Sequence, residues 1–484
     1  MPPPIGELGR AVRRGVAWKL ASLVTNQAVR LATLVILAQE LSPREFGLAA
    51  IALAVWGAAS VLTDLALAAA LIQRPEIDEH DRSTAFWASS VLGMTLALTG
   101  LAASGAVAAL FDEPDVRWLF AALGLGAFVA SLTSTQVALM TRALDFRTLE
   151  LISVTATAAG AAIGIGLAFA GAGAWAIVVN ALVTSVVTCA LTWRLSRWRP
   201  QLLFSRESLR RLAGFASLLS ATRLVVGVQR TADRLLIGRY LGAPELGLYA
   251  VPASIVFLPA ARLVDPIRSV LFPAFSKLQS SPAELADAWL RATRLVCALL
   301  TPLLLLLAVT ADEIVALALP SRWSDAAPVL QILALAGLFQ LAGAMNAVVM
   351  SALDRLGVVL RVFCLSAALS VVGFAIGQRH GLNGAAAGYA MGTVAVTPYY
   401  VYVTARALRL AAREVVSAYV APAAGLVAMA LVAVGVELIL DGSSVARLAA
   451  HVLVGLGVYA AVVLRSSKAI RSDLRAILAR GAST

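Results

Sequence analysis

The stretch "LAQELSPREFGLAAIAL", residues 37–53, lies between two apolar runs, and two hundred residues later the chain reads "IGRYLGAPELGLYAVPA", residues 237–253. Leu41, Glu45, Gly47, Leu48 and Ala50 match Leu241, Glu245, Gly247, Leu248 and Ala250 without a gap. What the repeat means depends on the elements between the copies, and composition supplies those. The 484 residues are 60% hydrophobic and 14% charged, with a mean hydropathy of +0.86; a soluble domain holds about a quarter charged residues. Apolar windows of roughly 18–25 residues recur from end to end, each long enough to cross a bilayer as a helix. Lipid leaves no partner for an unpaired backbone amide, so the spans are helices. The short alternating segments of barrel strands do not occur in the sequence.

Fourteen spans are expected, near 15–38, 47–72, 84–110, 117–140, 150–170, 174–193, 212–238, 247–275, 292–318, 327–352, 358–377, 385–405, 415–439 and 447–465. An offset of 200 residues covers six of them, an even number, so both copies enter the membrane in the same direction. That is a parallel repeat about an axis along the membrane normal, one arrangement found in secondary transporters. "ALD" at Ala143–Asp145 returns at Ala352–Asp354, and "GAGAWA" at 171–176 is weakly echoed by "GLNGAAA" at 381–387. The fold class expected is an all-α integral membrane protein of about 14 transmembrane helices, with two parallel-repeat six-helix lobes and two C-terminal helices. The domains are an N-terminus (1–14), an N-lobe (15–193), a basic linker (194–211), a C-lobe (212–405), a last helix pair (406–465) and a basic tail (466–484).

The net charge of +12 has a pattern. Loops on the side of the N-terminus hold Arg74, Arg82, Arg142, Arg147, six arginines within 194–211, Lys277, Arg291, Arg355, Arg406, Arg409, Arg413 and the tail cations. Opposite loops hold about one each or none: Arg44, Arg117, Arg239, Arg322, Arg379 and Arg447. The positive-inside bias puts both termini in the cytoplasm. The basic character is therefore topological, and nucleic acid is not an expected partner, since no compact basic domain with stacking aromatics exists. The N-terminal arginines Arg10, Arg13 and Arg14 precede a run too long for a signal peptide, which reads as an uncleaved first helix. The segment "LSRWRPQLLFSRESLRRL" alternates aromatic and aliphatic residues with arginine and reads as an interfacial helix on the anionic leaflet. Cys189, Cys297 and Cys364 fall inside spans without CxxC spacing, and His80, His380 and His451 are scattered, so no metal site is expected.

The run "LAQELSPREFGLAA", followed by "TDLALAAALIQRPEID" at 63–78, resembles the N-terminal signature of bacterial polysaccharide transporters, the O-antigen and exopolysaccharide flippases of the multidrug/oligosaccharidyl-lipid/polysaccharide exporter superfamily. "LFPAFSKLQ" at 271–279 is similar to that family's second-lobe motif. The resemblance implies translocation of an undecaprenyl-pyrophosphate-linked oligosaccharide from the cytoplasmic to the outer leaflet of the bacterial inner membrane, for lipopolysaccharide, capsule or exopolysaccharide. It implies membrane lipids, a polysaccharide polymerase and glycosyltransferases as neighbours, no cofactor beyond a coupling ion (H+ or Na+), and no enzymatic activity. The alternative on the same fold is an exporter of drugs or other amphipathic solutes.

Charges inside the spans name the candidate cavity. Arg30 lies in span one, Arg223, Arg230, Asp233 and Arg234 in span seven, and Arg262, Asp265 and Arg268 in span eight. Arginine at mid-bilayer costs about 2.5–3.5 kcal/mol on insertion scales, so such residues face protein or water. Arg223, Arg230 and Arg234 share a helix face by spacing, and Arg30 occupies the repeat position of Arg230. Guanidinium groups bind phosphate oxygens bidentately, which suits a pyrophosphate; snorkelling, or pairing with Asp233 and Asp265, is the other reading. Asp64, Asp233 and Asp265 are candidates for ion coupling or for salt bridges. Pro252, Pro259, Pro266 and Pro273, seven apart, line one face of span eight, where their kinks add into a hinge or a static curve. An ATP-driven pump is excluded by the missing GxxxxGK[ST] loop. A membrane glycosyltransferase or polymerase would need a large external loop with catalytic groups, and the longest outward loop, near 312–326, is short.

Overall fold

The computed structural model describes residues 5–63, 70–72, 74, 76–212, 231–440, 444–473 and 475. Among them every regular element is helical. The helices are α1 (Ile5–Glu40), α2 (Pro43–Thr63), α3 (Glu79–Phe111), α4 (Val116–Ser131), α5 (Ser134–Arg142), α6 (Phe146–Phe169), α7 (Trp175–Leu195), α8 (Ala243–Lys277), α9 (Pro282–Val309), α10 (Ala311–Ala318), α11 (Ala326–Ala342), α12 (Ala344–Ala352), α13 (Leu356–Gly377), α14 (Gly381–Ala407), α15 (Ala412–Ile439), α16 (Ser444–Ala450) and α17 (Leu456–Ser466), the last two joined by a π turn at His451–Gly455. Ten helical stretches among the described residues are long and apolar enough to cross a membrane; one, the 52-residue Leu356–Ala407, contains both α13 and α14. The protein is a multi-pass, all-α membrane protein.

The chain forms two compact units, residues 1–250 and 251–484. The boundary falls inside α8, because the first turns of α8 pack on α2 in the first unit. In that unit α3 pairs with α4, α6 with α7, and α1 lies along α6; in the second, α13 pairs with α14, α9 with α11 and α15 with α17.

The quoted stretch earns its shape locally. Ser42 is the N-cap of α2, and Pro43 needs no amide partner at the first helical position. The Ser42 amide and hydroxyl both donate to Glu45 Oε2 at 2.8 Å, while the Glu45 amide donates to Ser42 Oγ at 3.3 Å. This is a capping box, two orphan amides satisfied reciprocally. The second copy closes its turns with the same backbone bonds. Leu41 N donates to Leu37 O, and Leu241 N to Ile237 O, both at 2.8 Å; Phe46 N donates to Ser42 O, and Leu246 N to Gly242 O, at 3.1 and 3.2 Å. Gly242, at φ +95°, occupies a backbone region open to glycine.

Duplication continues in a feature the sequence reading missed. The fourth span breaks into α4 and α5 around Leu132 and Thr133, and α11 gives way to α12 at Gly343. Both α5 and α12 are nine residues long. The "ALD" echo is out of register by one. The left-handed closing residue is Leu144 (φ 57°) after α5 and Asp354 (φ 56°) after α12. The closing bonds, Asp145 N to Met140 O at 3.0 Å and Arg355 N to Met350 O at 2.9 Å, align the two at an offset of 210, not 209. Asp145 instead caps α6, accepting from Thr148 N at 3.3 Å.

The linker also differs from expectation. Residues 196–205 are not helical, and helix resumes only at Arg206. Pro200 lacks an amide and biases Arg199 toward extended backbone. The segment is strapped to the start of α3 instead: Trp198 Nε1 donates to Glu79 Oε1 at 2.6 Å, Gln201 N to Ser83 Oγ at 3.2 Å and Ser205 N to Thr84 Oγ1 at 3.0 Å. Arg199 turns back to the carbonyl of Trp193 at 2.5 Å, neutralising the last turn of α7.

Candidate functional site

The first helix carries a polar stripe. Lys19, Ser22, Asn26, Arg30 and Thr33 recur every three or four residues, one face of α1. Ser22 Oγ donates to Glu150 on α6, and Asn26 Nδ2 donates to Ser153 Oγ at 3.2 Å. Arg30 follows Asn26 by one turn on this face and is exposed. Glu150, Asn26 and Gln27 were missed by sequence reasoning; the three- or four-residue polar spacing inside an apolar run was a signal for Asn26, and nothing in the sequence pairs it with α6. Buried Asn26 Oδ1 and Gln27 Nε2 have no hydrogen-bond partner, so this face holds polar capacity that its own fold does not use.

Of the other candidates, Arg223, Arg230 and Asp64 lie outside the described residues, as do the side chains of Arg262, Asp265, Pro259 and Pro266. Arg234 is half-buried in the first unit and Arg268 half-buried in the second. Asp233 is buried and accepts a hydrogen bond from Tyr249 Oη at 2.8 Å. That donor is a tyrosine on α8, a partner that the reading of Asp233 as an ion-coupling or salt-bridge candidate did not name. Pro252 is buried and Pro273 exposed, and α8 runs unbroken for 35 residues through the proline ladder.

Within the first unit α2 and α8 cross through reciprocal glycines. A Cβ on Gly47 would stand 1.7 Å from the Ala243 carbonyl oxygen, and one on Gly247 would stand 1.8 Å from that of Pro43. Gly47 and Gly247, and Pro43 and Ala243, are pairs at the 200 offset, so the contact is self-complementary, as an interface on a two-fold axis must be. Ion pairs surround it: Arg44 reaches Glu113 at 2.6 Å and Asp115 at 3.6 Å, and Arg239 reaches Asp112 at 3.3 Å. Nine residues along α2 from Gly47, Trp56 donates from Nε1 to Phe120 O at 2.5 Å and stacks on Phe120. Gly100 and Gly124 make room for its ring, each placing a Cβ within 2.7 Å of it.

The two span breaks free backbone carbonyls, and aromatic donors take them. Trp193 Nε1 donates to Leu132 O at 3.1 Å in the first unit, and Tyr419 Oη to Ala342 O at 3.1 Å in the second. Leu132 and Ala342 are 210 apart. So are Gln136 and Asn346, each fully buried, and neither side-chain amide finds a hydrogen-bond partner. In the second unit a cavity of about 470 Å³ is lined by Gln279, Leu285, Leu353, Arg355, Arg406 and Arg409, so three arginines stand around one space.

Long apolar helices and spans broken at matching places define a multi-pass, all-α membrane protein with an internal duplication. Solved structures agree on the fold. The chain superposes on the lipid II flippase MurJ with a TM-score of 0.73, over 92% of this chain and 97% of that one at 11% identity. It superposes on a multidrug resistance MATE family transporter with a TM-score of 0.61, over 81% and 98% at 15% identity. The chain belongs to the polysaccharide biosynthesis protein family, whose model matches residues 36–328. Among its relatives are the lipopolysaccharide biosynthesis protein WzxC of Escherichia coli (strain K12), 27% identical over 68% of this chain and 67% of WzxC. The succinoglycan biosynthesis transport protein ExoT of Rhizobium meliloti (strain 1021) is 24% identical over 67% and 66%. The teichuronic acid biosynthesis protein TuaB of Bacillus subtilis (strain 168) is 24% identical over 58% and 59%. The chain thus spans about two thirds of the length of WzxC and ExoT, and less of TuaB.

Proposed function

We propose that this protein flips an undecaprenyl-pyrophosphate-linked oligosaccharide from the cytoplasmic to the outer leaflet of the bacterial inner membrane by alternating access. The carrying observation is the family match over residues 36–328 with relatives named for polysaccharide synthesis and transport, on the fold of a lipid II flippase. The arginine asymmetry of the loops supports cytoplasmic termini and a 14-span plan of two six-helix lobes and a last pair. Arg30, with Arg223, Arg230, Arg234, Arg262 and Arg268, supplies the positive potential a pyrophosphate needs. The cavity at Arg355, Arg406 and Arg409 then lies at the cytoplasmic ends of its helices, where a lipid-linked pyrophosphate first arrives. Asp233, buried beside Tyr249, is an acid available for proton or sodium coupling. The polymerase and glycosyltransferases of the same polysaccharide are its functional neighbours.

The test is deletion of the gene followed by the leaflet location of the lipid-linked glycan. Accumulation on the cytoplasmic face, reversed by the wild-type gene, is the expected result. Normal outer-leaflet glycan in the deletion strain overturns the proposal and leaves export of another amphipathic solute.

A further inference from the structure

Three residues far apart in sequence meet in the second unit. Glu313 stands in the first turn of α10, Glu437 in the last turn of α15, and His451 begins the π turn between α16 and α17. One ligand atom from each lies within 4.8 Å of the others. Glu313 is 3% and His451 1% exposed, and neither ring nitrogen of His451 has a hydrogen-bond partner. A buried imidazole with two idle nitrogens is costly. The π turn, a local one-residue widening that recurs at functional sites, begins at this very residue.

The cation among them is Arg447. Its Nε is 3.4 Å from Glu313 Oε1 and its Nη1 3.3 Å from Glu437 Oε2. Well-made charge-assisted bonds close to about 2.7–2.9 Å, and Nε makes no hydrogen bond. The Arg447 side chain is 32% exposed, so it can turn out to solvent. Two carboxylates against one guanidinium leave the set short of one positive charge.

We propose that Glu313, Glu437 and His451 bind a divalent transition-metal ion of the zinc class, which takes the place of the Arg447 guanidinium. Imidazole nitrogen and carboxylate oxygen are zinc donors, and three protein ligands leave a fourth position for water. Two carboxylates balance a dication, and neutral imidazole is the ligand form. Donors on one zinc ion lie roughly 3.3 Å apart, a contraction that carboxylate rotamers cover. The imidazole selects against magnesium and calcium, which take oxygen ligands. The ligands come from three elements, so the ion would tie α15 and the α16–α17 helix to the segment that follows α9.

The test uses the purified full chain in detergent, with Cys189, Cys297 and Cys364 replaced by serine to remove other soft ligands. Co2+ is titrated by its visible absorption, and Zn2+ by calorimetry and by the rise in Tm. One Co2+ per chain is expected. His451→Ala and Glu313→Gln should weaken binding roughly tenfold or more, and Glu437→Gln, at a half-exposed position that leaves packing intact, should do the same. Arg447→Ala should bind Co2+ more tightly than wild type, because a competing cation is gone. A purely structural ion-pair cluster behaves oppositely: Arg447→Ala loses Tm and gains no metal affinity. That result overturns the proposal, as does Co2+ binding left unchanged by His451→Ala and Glu437→Gln.

Discussion

Gly47→Ala is the sharpest perturbation the structure offers. Its Cβ would sit 1.7 Å from the Ala243 carbonyl oxygen, where ordinary contact begins at 3.4 Å, so α2 and α8 must part by about 1.7 Å. Overpacking of this kind costs about 1–3 kcal/mol, which is roughly a 5- to 150-fold shift in a two-state equilibrium. Any state in which this crossing is open escapes the penalty and gains population by that factor. The readout is Ala50→Cys in a cysteine-free background. Ala50 lies one turn along α2 and is 9% exposed, and cysteine adds a single sulfur atom there. Modification by a membrane-impermeant maleimide should accelerate by the same 5- to 150-fold. Gly247→Ala, at 1.8 Å from the Pro43 carbonyl oxygen, should match it. The double variant should fall short of the sum, since helices already parted by one methyl leave room for the other. Gly105→Ala and Gly166→Ala, which meet nothing within 4 Å, are the controls. Unchanged Ala50→Cys labelling in a folded Gly47→Ala protein would refute the close crossing and its opening together.

Arg30→Ala should abolish most export of lipid-linked glycan at matched expression, and Arg30→Lys should rescue only partly, since lysine keeps the charge and loses the bidentate fork; full rescue would mean that positive potential alone suffices. Charge reversal of Arg355, Arg406 and Arg409 to glutamate should raise the substrate concentration needed for half-maximal transport in vesicles without lowering folded yield, and an unaltered concentration dependence would remove the cavity from the substrate path. Asn346→Leu and Gln136→Leu should each leave Tm unchanged or raise it, because an amide with no partner contributes nothing when buried; a loss equivalent to about 1–3 kcal/mol would show that each amide holds a partner the fold recruits, such as an internal water.

The all-α membrane fold was legible because bilayer physics leaves few alternatives for a chain this apolar, the transporter class through the family resemblance of residues 37–78 and 271–279, and the repeat where the copies keep the same residues. The reading failed where equivalent positions hold different residues. Gln136 and Asn346 occupy matched places after matched breaks, yet no letter-by-letter comparison pairs glutamine with asparagine at an offset of 210 when the motif runs at 200. The shared "ALD" misled for the same reason: three identical letters aligned, while the backbone closed one residue later. The linker misled because its Arg–aromatic alternation fits an interfacial helix, and Pro200 together with the side-chain acceptors Glu79, Ser83 and Thr84 of α3 decided otherwise. Asp233 was read as a candidate for ion coupling or a salt bridge; the tyrosine that donates to it sits 16 residues away on another helix, invisible to a reading that pairs opposite signs. The metal-ligand cluster was hidden by spacing, since Glu313 and His451 meet only after α10 and the π turn are placed.

Duplication also sorts these features by cause. A self-complementary contact needs the same residue from both partners, since each copy supplies both the notch and the ridge. A methyl at either glycine would spoil the crossing, so retention of glycine at both 47 and 247 follows from geometry. The matched breaks obey the same logic: each frees a carbonyl, and each unit supplies an aromatic donor, Trp193 or Tyr419, to meet it. Features of this kind explain the fold, and substituting them should change conformational balance or stability first. The cluster at Glu313, Glu437, Arg447 and His451 draws three of its four residues, Glu437, Arg447 and His451, from the last helix pair, which lies outside the six-span repeat, so no symmetry requires it. Folding does not require it either, because a buried imidazole with idle nitrogens lowers stability where a leucine of similar size would raise it. A costly polar group that neither symmetry nor packing calls for is best accounted for by a ligand, and that reasoning puts the metal titration of Arg447→Ala ahead of any stability measurement on this helix pair.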